Sequence, residues 1–339
     1  VAELTPLADT AEPAPGPGTA VRRIAYAGSW GLRAGAVLVR RALLLAAMLA
    51  VVFLAVELLP GDAASATSER GDSAADIAAR RELLGLDRPL WERFADWMTA
   101  LPTGDLGTSA RGEKVADLLR DPFPNTLMLA GTAFALTAVA SIALGCLAAA
   151  RPGRLTDRVI GHVATSAFAV PDFVVATGLI LTLSLWTGWL PAVTVSGPDG
   201  DPANWKMLIM PVLALTIPQT GWNTRIVRGA LADQAATPHV EAARLDGLST
   251  PRVLLRHALP GALPVIATGL ATSTGMLLGG AVVVETLFNY PGIGSVLAGA
   301  VASRDTPLIA GAVALAGAAI TLVLLAADLI RAKTVGAQR

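Results

Sequence analysis

Arg40-Arg41 stand directly before an apolar run, Ala42 to Leu59, and the same juxtaposition of arginine and long apolar stretch recurs along the chain. A helix needs about 20 apolar residues to cross about 30 Å of hydrocarbon. Five further stretches meet or approach that length, near 125–150, 159–185, 207–227, 261–284 and 307–330. With 53% hydrophobic and 15% charged residues, the chain holds more apolar surface than a soluble domain buries. The expectation is an all-α integral membrane protein with six transmembrane helices. A signal peptide cut near Ala64-Ser-Ala66 is the rival reading of the first run, but a forty-residue leader ahead of the apolar part is abnormal for one.

Six spans put both termini on one side. That side carries sixteen Lys and Arg, and the other carries ten, eight of them in one long insert where the charge rule is weak. Both termini, and the loop at 229–258, are therefore expected in the cytoplasm.

The segments between spans differ in character. Residues 1–35 are rich in Ala, Pro and Gly and read as a disordered cytoplasmic tail, with the first span at 36–59. Residues 60–122 hold twelve acidic and eight basic residues and two amphipathic patterns, Ala74 to Leu84 and Leu90 to Met98. They read as a mainly helical extracytoplasmic insert packed through Leu90, Trp91, Phe94, Trp97 and Met98. Residues 123–339 form the core. Within it, Pro211 and Pro218 are expected to break the fourth span, and tryptophans 186, 189 and 205 suit the membrane interface.

One polar stretch, Thr237 to Pro260, is set between the fourth and fifth spans. It reads as two short helices: Thr237 caps the first with Pro238 at N1, and Gly247 ends it in the left-handed conformation. Thr250-Pro251 starts a second helix, which carries Arg252 and Arg256 until Pro260 opens the next apolar segment. A compact helix-turn-helix between two spans looks like a docking element.

Several chemistries are excluded. Cys146 is the single cysteine, so no disulfide forms within the chain, and the three histidines join no metal-ligand array. Lys114, Lys206 and Lys333 are the only lysines, and none has the glycine spacing of a Walker A loop. Any ATP and magnesium the protein uses must be bound by another chain. Scattered basic residues give no nucleic-acid face.

Glu241-Ala-Ala243, then three residues, Gly247, nine residues, and His257-Ala-Leu-Pro260 resemble the EAA signature of ATP-binding-cassette importer permeases, with His257 where the general pattern has an aliphatic residue. Leu84-Gly-Leu-Asp-Arg-Pro-Leu90, Gly104-Asp-Leu-Gly-Thr-Ser109 and Gly280-Ala-Val-Val-Val-Glu-Thr-Leu-Phe-Asn-Tyr-Pro-Gly292 are similar to marks of the dipeptide/oligopeptide/nickel branch, as is Arg256-His-Ala258. The resemblance covers about residues 36–331. It implies a type I importer permease in a bacterial cytoplasmic membrane, working by alternating access beside a second, homologous permease subunit, two ATP-binding subunits and an extracytoplasmic solute-binding protein. It also implies that the loop couples to the ATPase through Glu241, Ala242, Ala243, Gly247, Arg252, Arg256 and His257, with Glu241 as a polar anchor. Peptide cargo is a family expectation; nickel, metal chelates or oligosaccharides are the alternatives within the family. A secondary transporter is the rival from outside it, and no inverted repeat supports that.

Four residues are candidates for the translocation pathway. Asp172 follows Pro171 in the third span. A carboxylate there costs about 2.5–3.5 kcal/mol and belongs against a bundle interior or an aqueous path. It either attracts a cationic group such as a peptide amino terminus, or pairs with a neighbouring helix, or caps a break at Pro171. Gln219 and Asn223 in the fourth span either line the path or bridge helices. Glu285, at the outer end of the fifth, begins a polar Glu-Thr-Leu-Phe-Asn-Tyr loop, and it contacts the binding protein or the partner permease or is a satisfied interfacial carboxylate.

Overall fold

The computed structural model describes the backbone of residues 17–58, 63–66, 73–197 and 202–337, with side chains lying between residues 35 and 328. The chain divides into two units, Val1–Ala47 and Met48–Arg339. The first contains the start of helix α1, Pro17–Glu57; the part of the expected tail at 1–16 lies outside the described residues. The helices after α1 all lie in the second unit.

Among the described residues the architecture is helical throughout, with two isolated bridges and no strand. After α1 come α2 (Ala63–Ala66), α3 (Ala74–Leu83), α4 (Leu90–Ala100), α5 (Val115–Leu119) and α6 (Pro122–Ala149). The two amphipathic patterns of the insert fall on α3 and α4. Ser73 begins α3 with a reciprocal cap, its hydroxyl accepting from Asp76 N–H while the Asp76 carboxylate accepts from Ser73 N–H at 2.9 Å. Trp97 is buried and donates Nε1–H to Leu106 O at 3.0 Å, with its ring beside Phe94 and Phe53. Leu106, Val115 and Leu119 then pack on Leu308, Ile309 and Ala312, so the insert is seated on the last long helix.

Helices α7 (Leu155–Ala169) and α8 (Asp172–Leu179, continued by a π-helical stretch to Trp186) meet at a 97° bend, so the third apolar segment is not one straight helix. Pro171 is the cause. It lacks an N–H and drives the residue before it out of the helical region, and Val170 is extended at φ −89°, ψ 123°.

Helix α9 (Lys206–Ala235) lies at the centre and packs on α6, α7, α8 and α12. The expected break at its prolines does not occur: the helix runs through Pro211 and Pro218 for 30 residues. Both prolines are buried among neighbouring helices, which hold the backbone straight enough to keep its remaining hydrogen bonds. Small residues let those neighbours close in. A methyl group added at Gly221 would collide with the backbone of Ala164 and Phe168 on α7, and one at Gly145 on α6 would lie 2.5 Å from Val227.

The chain continues through α10 (Pro238–Leu245), α11 (Thr250–Val253), a π-helical turn at Leu254–Ala258, α12 (Leu259–Phe288), α13 (Ile293–Ala302) and α14 (Thr306–Ala337). Two sequence expectations change here. Pro260 does not separate a cytoplasmic helix from a span, because Thr250–Phe288 is one helical passage of 39 residues. The wider π turn, in which Leu259 N–H donates to Leu254 O, makes room for a ring that would clash with an α-helical carbonyl four residues back. Glu285 does not begin a loop either; α12 continues to Phe288 and stops at Asn289, in the left-handed conformation at φ 50°.

Four described helices are long and apolar enough to cross a membrane: Gly35–Glu57, Val115–Ala149, Thr250–Phe288 and Thr306–Asp328. The bent α7–α8 pair makes a fifth if it is one span. Helix α9 has the length, but Gln219, Asn223, Arg225, Arg228 and Asp233 make it more polar than those.

Candidate coupling hairpin and membrane cavity

The α10–α11 hairpin is built by its turn. Gly247 adopts φ 78°, a left-handed conformation that an L side chain rarely tolerates. This lets Leu248 N–H reach Ala243 O at 3.3 Å and Gly247 N–H reach Arg244 O at 3.0 Å. Thr237 has the extended backbone of an N-cap, yet its hydroxyl does not cap α10. It donates to Gln234 O at 2.6 Å and satisfies the end of α9 instead. Ser249, one residue before the expected Thr250, is the cap position of α11.

Val240, Ala243, Val253, Leu254 and Ala258 bury the inner face of the hairpin against Val227, Leu231 and Ile266 of α9 and α12. His239 ties the two halves together. A carbonyl only accepts, so the His239 Nε2–H donates to His257 O at 3.3 Å. The expected coupling residues thus divide. Ala243 is buried and His257 partly so, whereas Glu241, Ala242, Gly247, Arg252 and Arg256 are exposed. The Glu241 side chain anchors nothing within the described residues and points its charge outward. Two residues that sequence reasoning missed join this outer face, Leu245 at 82% exposure and Leu255 at 58%. For Leu245 the signal was available: it stands on the side of α10 opposite Val240 and Ala243, which pack inward.

Deeper in the chain, Asp172 and Gln219 line one cavity of about 310 Å³ together with Phe168, Pro171, Phe173, Pro218 and Gly280. Asp172 is partly buried in the first turn of α8 and makes no side-chain cap; the start of a helix favours negative charge. Its carboxylate rests against Gly280 of α12, and a methyl group there would collide with the Oδ2 atom. Gln219 is 5% exposed and its Oε1 has no partner among the described residues.

Asn223, one turn below Gln219, bridges helices. Its Nδ2 donates to Gln219 O at 2.9 Å and to Ser273 Oγ on α12 at 2.5 Å, while its Oδ1, like the hydroxyls of Thr216, Thr220 and Thr224, is buried without a partner among the described residues. α9 therefore carries a stripe of polar groups with unused hydrogen-bonding capacity.

Glu285 is elsewhere. It is fully buried, with Thr126 Oγ1 donating to one carboxylate oxygen at 2.7 Å and Gly294 N–H to the other at 2.6 Å. Thr126 in turn accepts from Ile293 N–H at 2.9 Å. Tyr290 Oη–H donates to Asn125 O at 2.9 Å, and Asn125 Nδ2 donates to Pro291 O at the same distance. The carboxylate thus fastens the turn between α12 and α13 to the start of α6, and it lines neither the cavity nor the hairpin.

Residues 141–333, which include the hairpin and the cavity, match the family described as "Binding-protein-dependent transport system inner membrane component". The chain belongs to that family. The permease is 34% identical over 283 residues to the glutathione transport system permease protein GsiC of Escherichia coli O6:H1, covering 83% of this chain and 90% of that one. It is 31% identical over 301 residues to the probable peptide ABC transporter permease protein y4tP of Sinorhizobium fredii, covering 87% and 96%. Its fold is similar to that of the inward-facing MetNI methionine ABC transporter, with a TM-score of 0.53 at 17% identity over 64% of this chain and 96% of that one. The permease is thus a multi-pass inner-membrane subunit of an ABC importer of type I. It is not itself an enzyme: ATP hydrolysis resides in partner subunits, and the family works with ATPase and substrate-binding partners.

Proposed function

We propose that this chain is the membrane subunit of an ATP-driven peptide importer, coupled to its ATPases through the α10–α11 hairpin. The observation that carries the coupling is the two-sidedness of the hairpin. An apolar inner face is locked to α9 and α12, and an outer face presents Glu241, Ala242, Arg244, Leu245, Gly247, Arg252 and Arg256. A short hairpin held this way passes a push on its outer face into two long helices as a rigid-body movement, which is what alternating access requires. Six spans follow if α1, α6, the bent α7–α8 pair, α9, the α11–α12 passage and α14 each cross once. Both termini and the hairpin are then cytoplasmic, and residues 60–122 lie outside the membrane. The remaining parts of the reading are a second, homologous permease subunit, two ATPases that bind ATP and magnesium, and an external binding protein. Asp172, Gln219 and Asn223 are the proposed pathway residues, with Glu285 holding the outer turn that frames them. Peptide cargo is supported by the relatives, which are named for glutathione and peptide transport.

The test is uptake of labelled di- and tripeptides, glutathione among them, into proteoliposomes holding the permease with its partner subunits. ATP-dependent, vanadate-sensitive uptake that needs the binding protein is expected. Vanadate-insensitive uptake by the purified permease alone would overturn the proposal.

A further inference from the structure

Resting on the peptide-importer reading, the cavity beside the α7–α8 bend has a chemistry that the reading does not itself supply. It offers one carboxylate, Asp172, which has no hydrogen bond or ion pair among the described residues, and one buried amide, Gln219, 5% exposed with an unpartnered oxygen. An amide can present either end after a half-turn, so Gln219 can accept from an N–H or donate to a carbonyl. The remaining walls are apolar side chains and the bare backbone at Gly280.

Three ligand classes can be weighed against those walls. A divalent cation needs several hard ligands, and no group of three His, Cys, Asp or Glu side chains is placed to hold a metal ion among the described residues. An anion is repelled by the only charge in the cavity. A primary ammonium suits it: the carboxylate accepts one or two of its N–H groups, and the flanking Gln219 amide meets the adjacent peptide unit. The cavity volume is about 310 Å³. Small-molecule sites run upward from about 300 Å³, so a cavity at that lower end suits one end of a substrate rather than the whole.

Gly280 fixes the position. The carboxylate occupies the space a side chain on α12 would fill, so α8 and α12 together hold Asp172. α12 is continuous with the hairpin, and a movement of that helix relative to α8 changes how tightly the carboxylate is seated.

We infer that Asp172 and Gln219 form a subsite for the free amino group of the transported peptide, seated on Gly280 and reshaped when α12 moves.

Glutathione and trialanine, each compared with its amino-terminally acetylated form, test this in proteoliposomes carrying the complete transporter. The binding protein is common to every assay, so its own preference cancels when variants are compared with wild type. Losing a hydrogen-bonded charge partner corresponds to about a tenfold effect or more. Asp172→Asn should therefore lower uptake of the free-amino peptides about tenfold and leave the acetylated ones nearly untouched, and Gln219→Leu should move the ratio part of the way. An unchanged ratio in Asp172→Asn overturns the subsite while the importer reading stands, as does equal loss of both peptide forms in Asp172→Asn and Gln219→Leu. Wild-type complex that carries no peptide overturns both.

Discussion

Arg228 near the end of α9 grips Asp157 at the start of α7: its Nη2–H donates to Oδ2 at 2.8 Å and its Nε–H to Oδ1 of the same carboxylate. Gly153 N–H adds a third hydrogen bond to Asp157 at 2.8 Å. The carboxylate is 4% exposed and the guanidinium 44%, so the pair sits at an edge, with one member dry and the other wet. It closes the α7–α9 seam where Gly221 has already brought the two backbones together.

Asp157→Ala should therefore destabilise the permease by about 1.5–3 kcal/mol, the range for hydrogen bonds to a charged group. Cys146 is the only cysteine and is partly buried, so a thiol-reactive dye reports unfolding at one known position. The double exchange Asp157→Arg with Arg228→Asp should recover part of the loss. No recovery would mean the seam depends on shape and not on charge.

Removing the Glu285 carboxylate leaves Thr126 Oγ1 and Gly294 N–H without their acceptor in a dry site, at about 1–3 kcal/mol for each group left unpaired. Glu285→Ala should lower the unfolding midpoint strongly, and Glu285→Gln, which keeps one acceptor, should do so less. Gly294→Ala is expected to be as damaging, because its methyl group would lie 2.6 Å from Val282 Cα and overpack the contact. Equal midpoints for the two Glu285 variants would count against a role through hydrogen bonding.

At the hairpin the expected outcome is different in kind. Gly247→Ala must place a side chain at φ 78°, in a turn with open space around it. The left-handed conformation then costs about 1–2 kcal/mol. The assembled complex should still form, while binding-protein-stimulated ATP hydrolysis falls severalfold. Leu245→Glu puts a charge on the outer face and should weaken co-purification of the ATPase without moving the unfolding midpoint of the isolated permease. A lowered midpoint would show that Leu245 stabilises the chain itself.

Asp305 precedes α14 and is 3% exposed. Burial pushes its carboxyl above the ordinary carboxylate value, although Ala110 N–H, Leu308 N–H and the Arg111 charge pull the other way. A raised value in the folded protein means that protonation favours the fold. The site's stabilising contribution is complete below an unfolded Asp value of about 3.9 and fades as pH rises through the folded one. Asp305→Asn should flatten the fall in stability as pH rises above about 4, read from tryptophan fluorescence during thermal unfolding. Identical slopes in variant and wild type would refute this.

Long apolar runs and their caps made much of the chain legible. α3 and α4 begin where the amphipathic patterns begin, α6 starts within a few residues of Asn125, and Gly247 adopts the left-handed turn its position demanded. What stayed hidden depended on neighbours. Pro211 and Pro218 read locally as breaks, yet surrounding helices hold α9 through both. Pro260 read as a boundary because a π turn has no sequence period of its own. α13, a ten-residue apolar helix, was too short to register beside spans twice its length. At the site, Asp172 stood out as a lone charge in an apolar run, whereas its relation to Gly280, more than a hundred positions away, needed the fold. Glu285 looked like a loop residue because Thr126 and Gly294, which enclose it, come from distant or later segments.

The unbroken passage from Thr250 to Phe288 gives the hairpin mechanical reach. It holds 39 residues, which at a rise of about 1.5 Å each extend about 58 Å. A tilt of about 5° imposed at one end displaces the other by about 5 Å, roughly the pitch of one helical turn. With no loop between them to absorb the motion, the proposed docking surface of the hairpin and the wall that carries Gly280 belong to a single lever arm.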